Sequence, residues 1–238
     1  MITEDEIKRN YNNLLLRVER ACTRYGRKIE DITIIAVVKS HPSDVVKMGF
    51  TAGIRTFGEN RVQETKAKWE ELADIRDKVT LHLVGHLQRN KSKDAILLYD
   101  VIESVDDIAL ANELSGRLEA VGREDPIPIM IEVNTSEEET KYGVSPDSAL
   151  SLLERIRELP NLNITGLMTV GPLTGDENRI RGAFSTLREL GEKAKEVIKP
   201  IESIFHLSMG MTDDFEIAIE EGSTMIRVGR AIFGERSS

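Results

Sequence analysis

Ile32-Thr33-Ile34-Ile35-Ala36-Val37-Val38 is an apolar run without alternation, and Lys39-Ser40-His41-Pro42 follows it at once. A strand of this kind is covered on both faces, as in a parallel sheet packed under helices. The lysine that closes it would lose hydration on pointing inward, and it would then need a partner or a lowered pKa. An amine held that way can attack a carbonyl compound and form a Schiff base. A lysine that caps the strand and reaches out to solvent is the ordinary alternative.

Outward from this run the chain alternates. Further apolar runs stand at Ile54–Phe57, Leu81–Val84, Val101–Ile102, Ile127–Val133, Ile164–Met168, Ile204–Leu207 and Met225–Val228. Helical spacing is clearest over Arg61–Leu72, Ile108–Val121, Pro146–Leu159 and Arg179–Ile198. Before the first strand, Thr3 and Glu6 form a capping-box pair, and Ile7, Tyr11, Leu14, Leu15, Val18 and Ala21 then recur at helical spacing to about Tyr25. Eight strands separated by helices imply right-handed βαβ units and a parallel sheet. In 238 residues without a linker-like stretch, they predict an α/β protein of one domain, residues 1–238: a (β/α)8 TIM barrel with an extra N-terminal helix. An open doubly wound sheet is the architectural alternative.

Composition narrows the function. The net charge of −9 argues against a nucleic-acid surface, which needs a basic face. Cys22 is the only cysteine, so neither a disulfide framework nor a thiolate metal cluster is expected, and no metal site is read. No apolar stretch approaches the roughly 18 residues of a membrane span. The N-terminus, MITEDEIKRN, lacks the apolar core of a signal peptide. The expectation is a reduced, cytoplasmic, soluble protein.

In barrels of this kind the active face is built from the loops that follow the strands. Lys39 follows the first. Phe57-Gly58-Glu59-Asn60 follows the second, where Asn60 is either a helix cap or an amide pointed into the barrel mouth. His82 lies within the third strand, a position more often structural than catalytic. The last two strands end in small residues before helix starts, at Ser208 and Gly229. Loops after strands seven and eight commonly cradle a phosphate, with backbone N–H groups and a helix N-terminus aimed at the anion. Arg227 sits inside the last apolar strand and must find an acceptor there, either a ligand ring nitrogen or a buried carboxylate. An amine, a phosphate cradle and a cationic donor together fit pyridoxal 5′-phosphate, a form of vitamin B6.

The segments AVVKSHP, FGENRVQE, LHLVGHLQRNK, IEVNTSEEETKYGV, GLMTV and HLSMGMTDDFEIAIEEGSTMIRVGRAIFG resemble the pyridoxal-phosphate homeostasis protein family. These are single-domain barrels related to the N-terminal domain of alanine racemase. The likeness runs from about Asp31 to Gly234. It implies cofactor bound covalently to Lys39, Arg227 at the pyridine nitrogen, Ser208 and Gly229 at the phosphate with Met209 and Arg230 nearby, and Asn60 and His82 close to the cofactor. Val38 and His41 stand where a serine and a lysine are frequent, and Leu81 replaces a frequent tryptophan.

An arginine at the ring nitrogen leaves that nitrogen an unprotonated acceptor and a weak electron sink. Racemases of the related fold add a tyrosine base from a second, β-rich domain, for which this chain has no room past the barrel. The expected function is therefore pyridoxal-phosphate binding and carriage, with hand-over to apo-enzymes and no turnover of its own. A monomer is the simpler expectation. A small amino-acid racemase using Tyr142, Lys141 or His82 as base is the alternative. A cofactor-free aldolase of sugar phosphates is a third reading.

Overall fold

The computed structural model describes residues 2–136, 138, 140–198 and 205–234. Helix α1 (Glu4–Arg24) precedes the barrel. There follow β1 (Thr33–Val37), α2 (Ser43–Thr51), β2 (Thr56–Glu59), α3 (Val62–Glu70), β3 (Thr80–Leu83), α4 (Ser92–Leu98) and β4 (Val101–Val105). The chain continues through α5 (Ile108–Ala120), β5 (Ile127–Glu132), α6 (Pro146–Ile156), β6 (Leu162–Met168), α7 (Glu177–Ile198), β7 (His206–Ser208), α8 (Phe215–Glu220), β8 (Met225–Val228) and α9 (Arg230–Phe233). Ile204, where the seventh strand is expected to begin, lies outside the described residues.

Each strand pairs in parallel with the next, and β1 pairs with β8 from Thr33↔Met225 to Ala36↔Val228, so the sheet closes on itself. Closure bears out the barrel over the open sheet. It also places the loop after β1 beside the loop after β8, which brings Lys39 next to Gly229. Two strands take in charged residues beyond their apolar runs. The second lies toward the C-terminal side of Ile54–Phe57 and includes Glu59, and the fourth runs past Ile102 through Glu103 and Ser104.

Helix α1 has a filling role. Its start is fixed by the reciprocal cap of Thr3 and Glu6, with the Thr3 N–H donating to Glu6 Oε2 at 2.8 Å and the Glu6 N–H to Thr3 Oγ1 at 3.3 Å. One face buries Ile7, Leu14, Val18, Ala21 and Cys22, the large aliphatic ones contributing about 2 kcal/mol each. That face packs on α2, α8 and α9. Helices α8 and α9 are only 6 and 4 residues long, too short to cover the closing seam of the barrel, and α1 supplies the missing apolar surface. Asn10 donates to the Ile232 carbonyl at 3.1 Å and Arg27 to that of Ile219 at 3.0 Å, which fixes the helix against both short neighbours.

The interior of the barrel is layered. Ile35, Met130, Met168 and Met225 form an apolar plug. Two positions farther along the same strands, on the same face, stand Val37, Glu132, Val170 and Arg227, all bordering one cavity.

Candidate functional site

Above the plug the barrel holds a cavity of about 720 Å³, within the size range of small-molecule sites. Lys39, Asn60, Arg227, Gly229 and Arg230 all line it. The lysine after the first strand and the turn after the last one therefore face a common space.

Lys39 sits in a tight turn. The His41 N–H donates to the Val38 carbonyl at 3.1 Å, and Ser40 adopts φ 64°, the positive value that a type II turn requires at its third position. The turn is anchored from below. Lys68 Nζ donates to the Val38 carbonyl at 2.8 Å and to Glu59 Oε1 at 2.7 Å, and Trp69 Nε1 reaches the same carboxylate at 3.3 Å. Glu59 is buried, and burial pushes its carboxyl up, against the pull of Lys68 and Trp69. Lys39 itself is half-buried at the cavity wall. Gly85 packs against Asn60: a Cβ there would fall 2.5 Å from the Asn60 carbonyl oxygen, so only glycine permits the chain after β3 to pass that closely.

Arg227 is the centre of a buried chain. Its Nη2 donates to the Thr169 carbonyl at 2.6 Å and its Nη1 to Ser208 Oγ at 2.7 Å. Ser208 in turn donates to Glu103 Oε2 at 2.5 Å, and Glu103 Oε1 meets His82 Nδ1 at 2.6 Å. All four side chains are buried. For Glu103 burial works to raise the carboxyl, but the His82 and Ser208 bonds and the nearby Arg227 charge together carry it below its ordinary value. Burial lowers the Arg227 guanidinium, while Glu103, Glu132 and Asp214 oppose that. Of the two acceptors the sequence allows for Arg227, a buried carboxylate is thus present, reached through one hydroxyl.

The remaining expected residues stand behind the cavity wall. His82 and Ser208 are committed to Glu103. Met209 is fully buried, and its N–H donates to the Met225 carbonyl at 3.1 Å. At this end of the cavity the β7 loop instead presents Met211, Thr212 and Asp213. Gly210 turns that loop at φ 96°, with its α-carbon packed so that a Cβ would lie 2.5 Å from that of Ala218. Arg230 pairs with Asp213. Helices α8 and α9 are too short to build much macrodipole, so an anion here would rest on loop N–H groups and on Arg230. Of the three unusual positions flagged in the sequence, His41 borders the cavity, whereas Val38 and Leu81 belong to the hydrophobic core.

Three acidic groups and an aromatic pair were not read from the sequence. Glu103 follows an apolar run and Glu132 interrupts one, as Arg227 does; a charge at that place is the available signal. Asp106 lies past β4, and His86 Nδ1 approaches it at 3.7 Å. The His86 ring stacks on Tyr142, with centroids 3.8 Å apart and planes 9° from parallel, at the cavity mouth. Among the described residues there is no cluster able to hold a metal ion, and no helix is long and apolar enough to cross a membrane.

Comparison with known proteins places this geometry in context. The family model described as alanine racemase, N-terminal domain, matches residues 3–237. A pyridoxal phosphate homeostasis protein of Aquifex aeolicus is 38% identical over 225 residues, covering 94% of this chain and 96% of the relative. A crystal structure of an unknown protein from Bifidobacterium adolescentis superposes with TM-score 0.91 at 36% identity, covering 98% of each chain. The structure of PipY from Synechococcus elongatus with PLP bound superposes with TM-score 0.78 at 32% identity, covering 92% of this chain and 100% of that one.

Proposed function

On the premise that the chain belongs to the alanine racemase N-terminal domain family, and within it to the pyridoxal phosphate homeostasis proteins, we propose that it binds pyridoxal 5′-phosphate at the barrel mouth for storage and carriage rather than turnover. The observation that carries this reading is that Lys39, Arg227, Gly229 and Arg230 border one cavity. When bound, the cofactor would supply a reactive aldehyde, and Lys39 would be the amine that holds it as a Schiff base. Arg227 donates toward the ring nitrogen, fixed in place by Ser208 and by the Thr169 carbonyl. Gly229 and Arg230, with the N–H groups of the first turn of α9 that have no acceptor within the helix, receive the phosphate. Asn60 orients the cofactor from the β2 side, and His82, Ser208 and Met209 act from behind the wall.

The same arrangement supports carriage. A guanidinium donor leaves the ring nitrogen without a proton and limits its power to hold electrons from a substrate. The three candidate bases are engaged or set back. Lys141 Nζ is held by Glu138 and by the Gly171 carbonyl at 2.9 Å each, Tyr142 is stacked on His86, and His82 is buried against Glu103. Hand-over to apo-enzymes, by the chain as a monomer in the cytoplasm, completes the proposal.

The test is the absorbance of the protein after incubation with pyridoxal 5′-phosphate, followed by borohydride reduction and mass measurement. A pyridoxyl adduct on the wild type, lost in Lys39→Ala, is expected. An unchanged spectrum in the variant removes Lys39 from this role. Steady deuterium incorporation at Cα of amino acids in deuterated water would favour the racemase reading instead.

A further inference from the structure

Glu132 is a charged residue of the cavity that the reading above leaves without a task. It ends β5, on the wall across the barrel from β1, and its side chain is only 6% exposed. Its Oε2 is buried with no hydrogen-bond partner among the described residues, although the side chain borders the cavity. A buried polar atom without a partner loses its hydration with nothing in return, and folded proteins satisfy nearly all such atoms. The group that would satisfy this one must come from the cavity.

We propose that Glu132 is a ligand-binding residue: a neutral carboxyl group that donates a hydrogen bond to an oxygen acceptor on the molecule bound against Lys39. The charges around it favour the neutral form. Glu103 and Asp106 face it from β4 and its end, so a third carboxylate would add to a local negative field. Arg227 on β8 opposes this, but its guanidinium already serves Ser208 and Thr169. Lys39 and His86 line the same cavity. Burial accordingly pushes Glu132 up to about 7, Asp106 and Glu103 adding to the rise and Arg227 opposing it. Burial raises Asp106 as well, against the pull of His86. The site then reads a phenolic or phosphate oxygen, since a carboxyl group gives its proton to an acceptor where a carboxylate would repel it.

The inference rests on the cofactor reading and is tested by binding alone. Pyridoxal 5′-phosphate is titrated into the wild type, Glu132→Leu and Glu132→Gln between pH 6.5 and 8.5. Glu132→Leu should weaken binding about tenfold, the worth of one hydrogen bond to a polar ligand group. Glu132→Gln keeps an N–H donor that cannot ionise, so it should bind within about threefold of wild type at pH 6.5. Above pH 7 its affinity should exceed that of the wild type by a ratio that grows with pH. Equal affinity of wild type and Glu132→Leu, or a wild-type to Glu132→Gln ratio that stays flat across the range, overturns the assignment. A wild type that fails to bind at all overturns the cofactor reading itself.

Discussion

The chain of buried groups from His82 to Arg227 makes a quantitative demand on stability. Replacing Glu103 by leucine leaves the Arg227 guanidinium in the barrel interior without its countercharge. The two legs through Ser208, 2.5 and 2.7 Å, hold the charges at most about 5 Å apart. At that separation and an effective dielectric constant of about 20, the attraction is about 3 kcal/mol. The orphaned guanidinium and the Ser208 hydroxyl that loses its acceptor bring the expected loss to about 4 kcal/mol, in the range seen when one partner of a buried pair is removed. For a chain of this length that is a fall of roughly 10 °C in Tm. Arg227→Leu alone should cost a similar amount. The double variant removes both charges and should recover most of it, because two apolar side chains can replace a buried ion pair at little net cost. Urea denaturation of the four proteins, read as a double-mutant cycle, measures the coupling. A double variant destabilised by the sum of the two single losses would refute the claim that these groups neutralise each other.

Two further outcomes follow from the same electrostatics. Glu132 keeps its proton to about pH 7 in the folded protein but releases it near 4.5 in the unfolded chain. Between those values the native state binds more protons, so stability present below 4.5 is lost as pH rises through 7. The fall is about 3 kcal/mol, and Glu132→Gln should flatten it in urea midpoints taken from about pH 5 to 8. Lys68→Met strips the buried Glu59 of its cation and the Val38 carbonyl of a donor. It should lower stability by about 3 kcal/mol at pH 7, with less of the loss at pH 4, where Glu59 takes up a proton; an equal loss at both values would exclude the ion pair as its cause.

The parts of this molecule that could be read from its residues are those fixed by local pattern. The run before Lys39 and the run holding Arg227 are apolar because helices and the plug cover both of their faces, and their order closes the barrel. The fourth apolar run ends at Ile102 because Glu103 and Ser104 look like the start of a loop. They are strand residues, and Glu103 is tolerated because partners 21 and 105 positions away bind it. Glu59 hid the end of β2 in the same way, its cation lying one helix later. Helices α4, α8 and α9, of seven, six and four residues, are too short to show a helical period. For the site, Lys39, Arg227 and Gly229 were legible as lone exceptions in apolar or turn contexts. That Ser208 would be spent on Glu103 depends on a pairing across the barrel, which no local window contains.

The seam between β1 and β8 joins residues nearly two hundred positions apart, Thr33 to Met225, and the cavity draws its lysine from one side of it and its glycine and arginine from the other. A chain still being synthesised holds the first half of the site long before the second exists. Such distant pairing forms late and slowly, so tight capture of a small molecule reports a finished chain. A ligand in excess that binds across the closed seam would in turn stabilise it by mass action, and the folded protein's lifetime would rise and fall with the supply of that ligand.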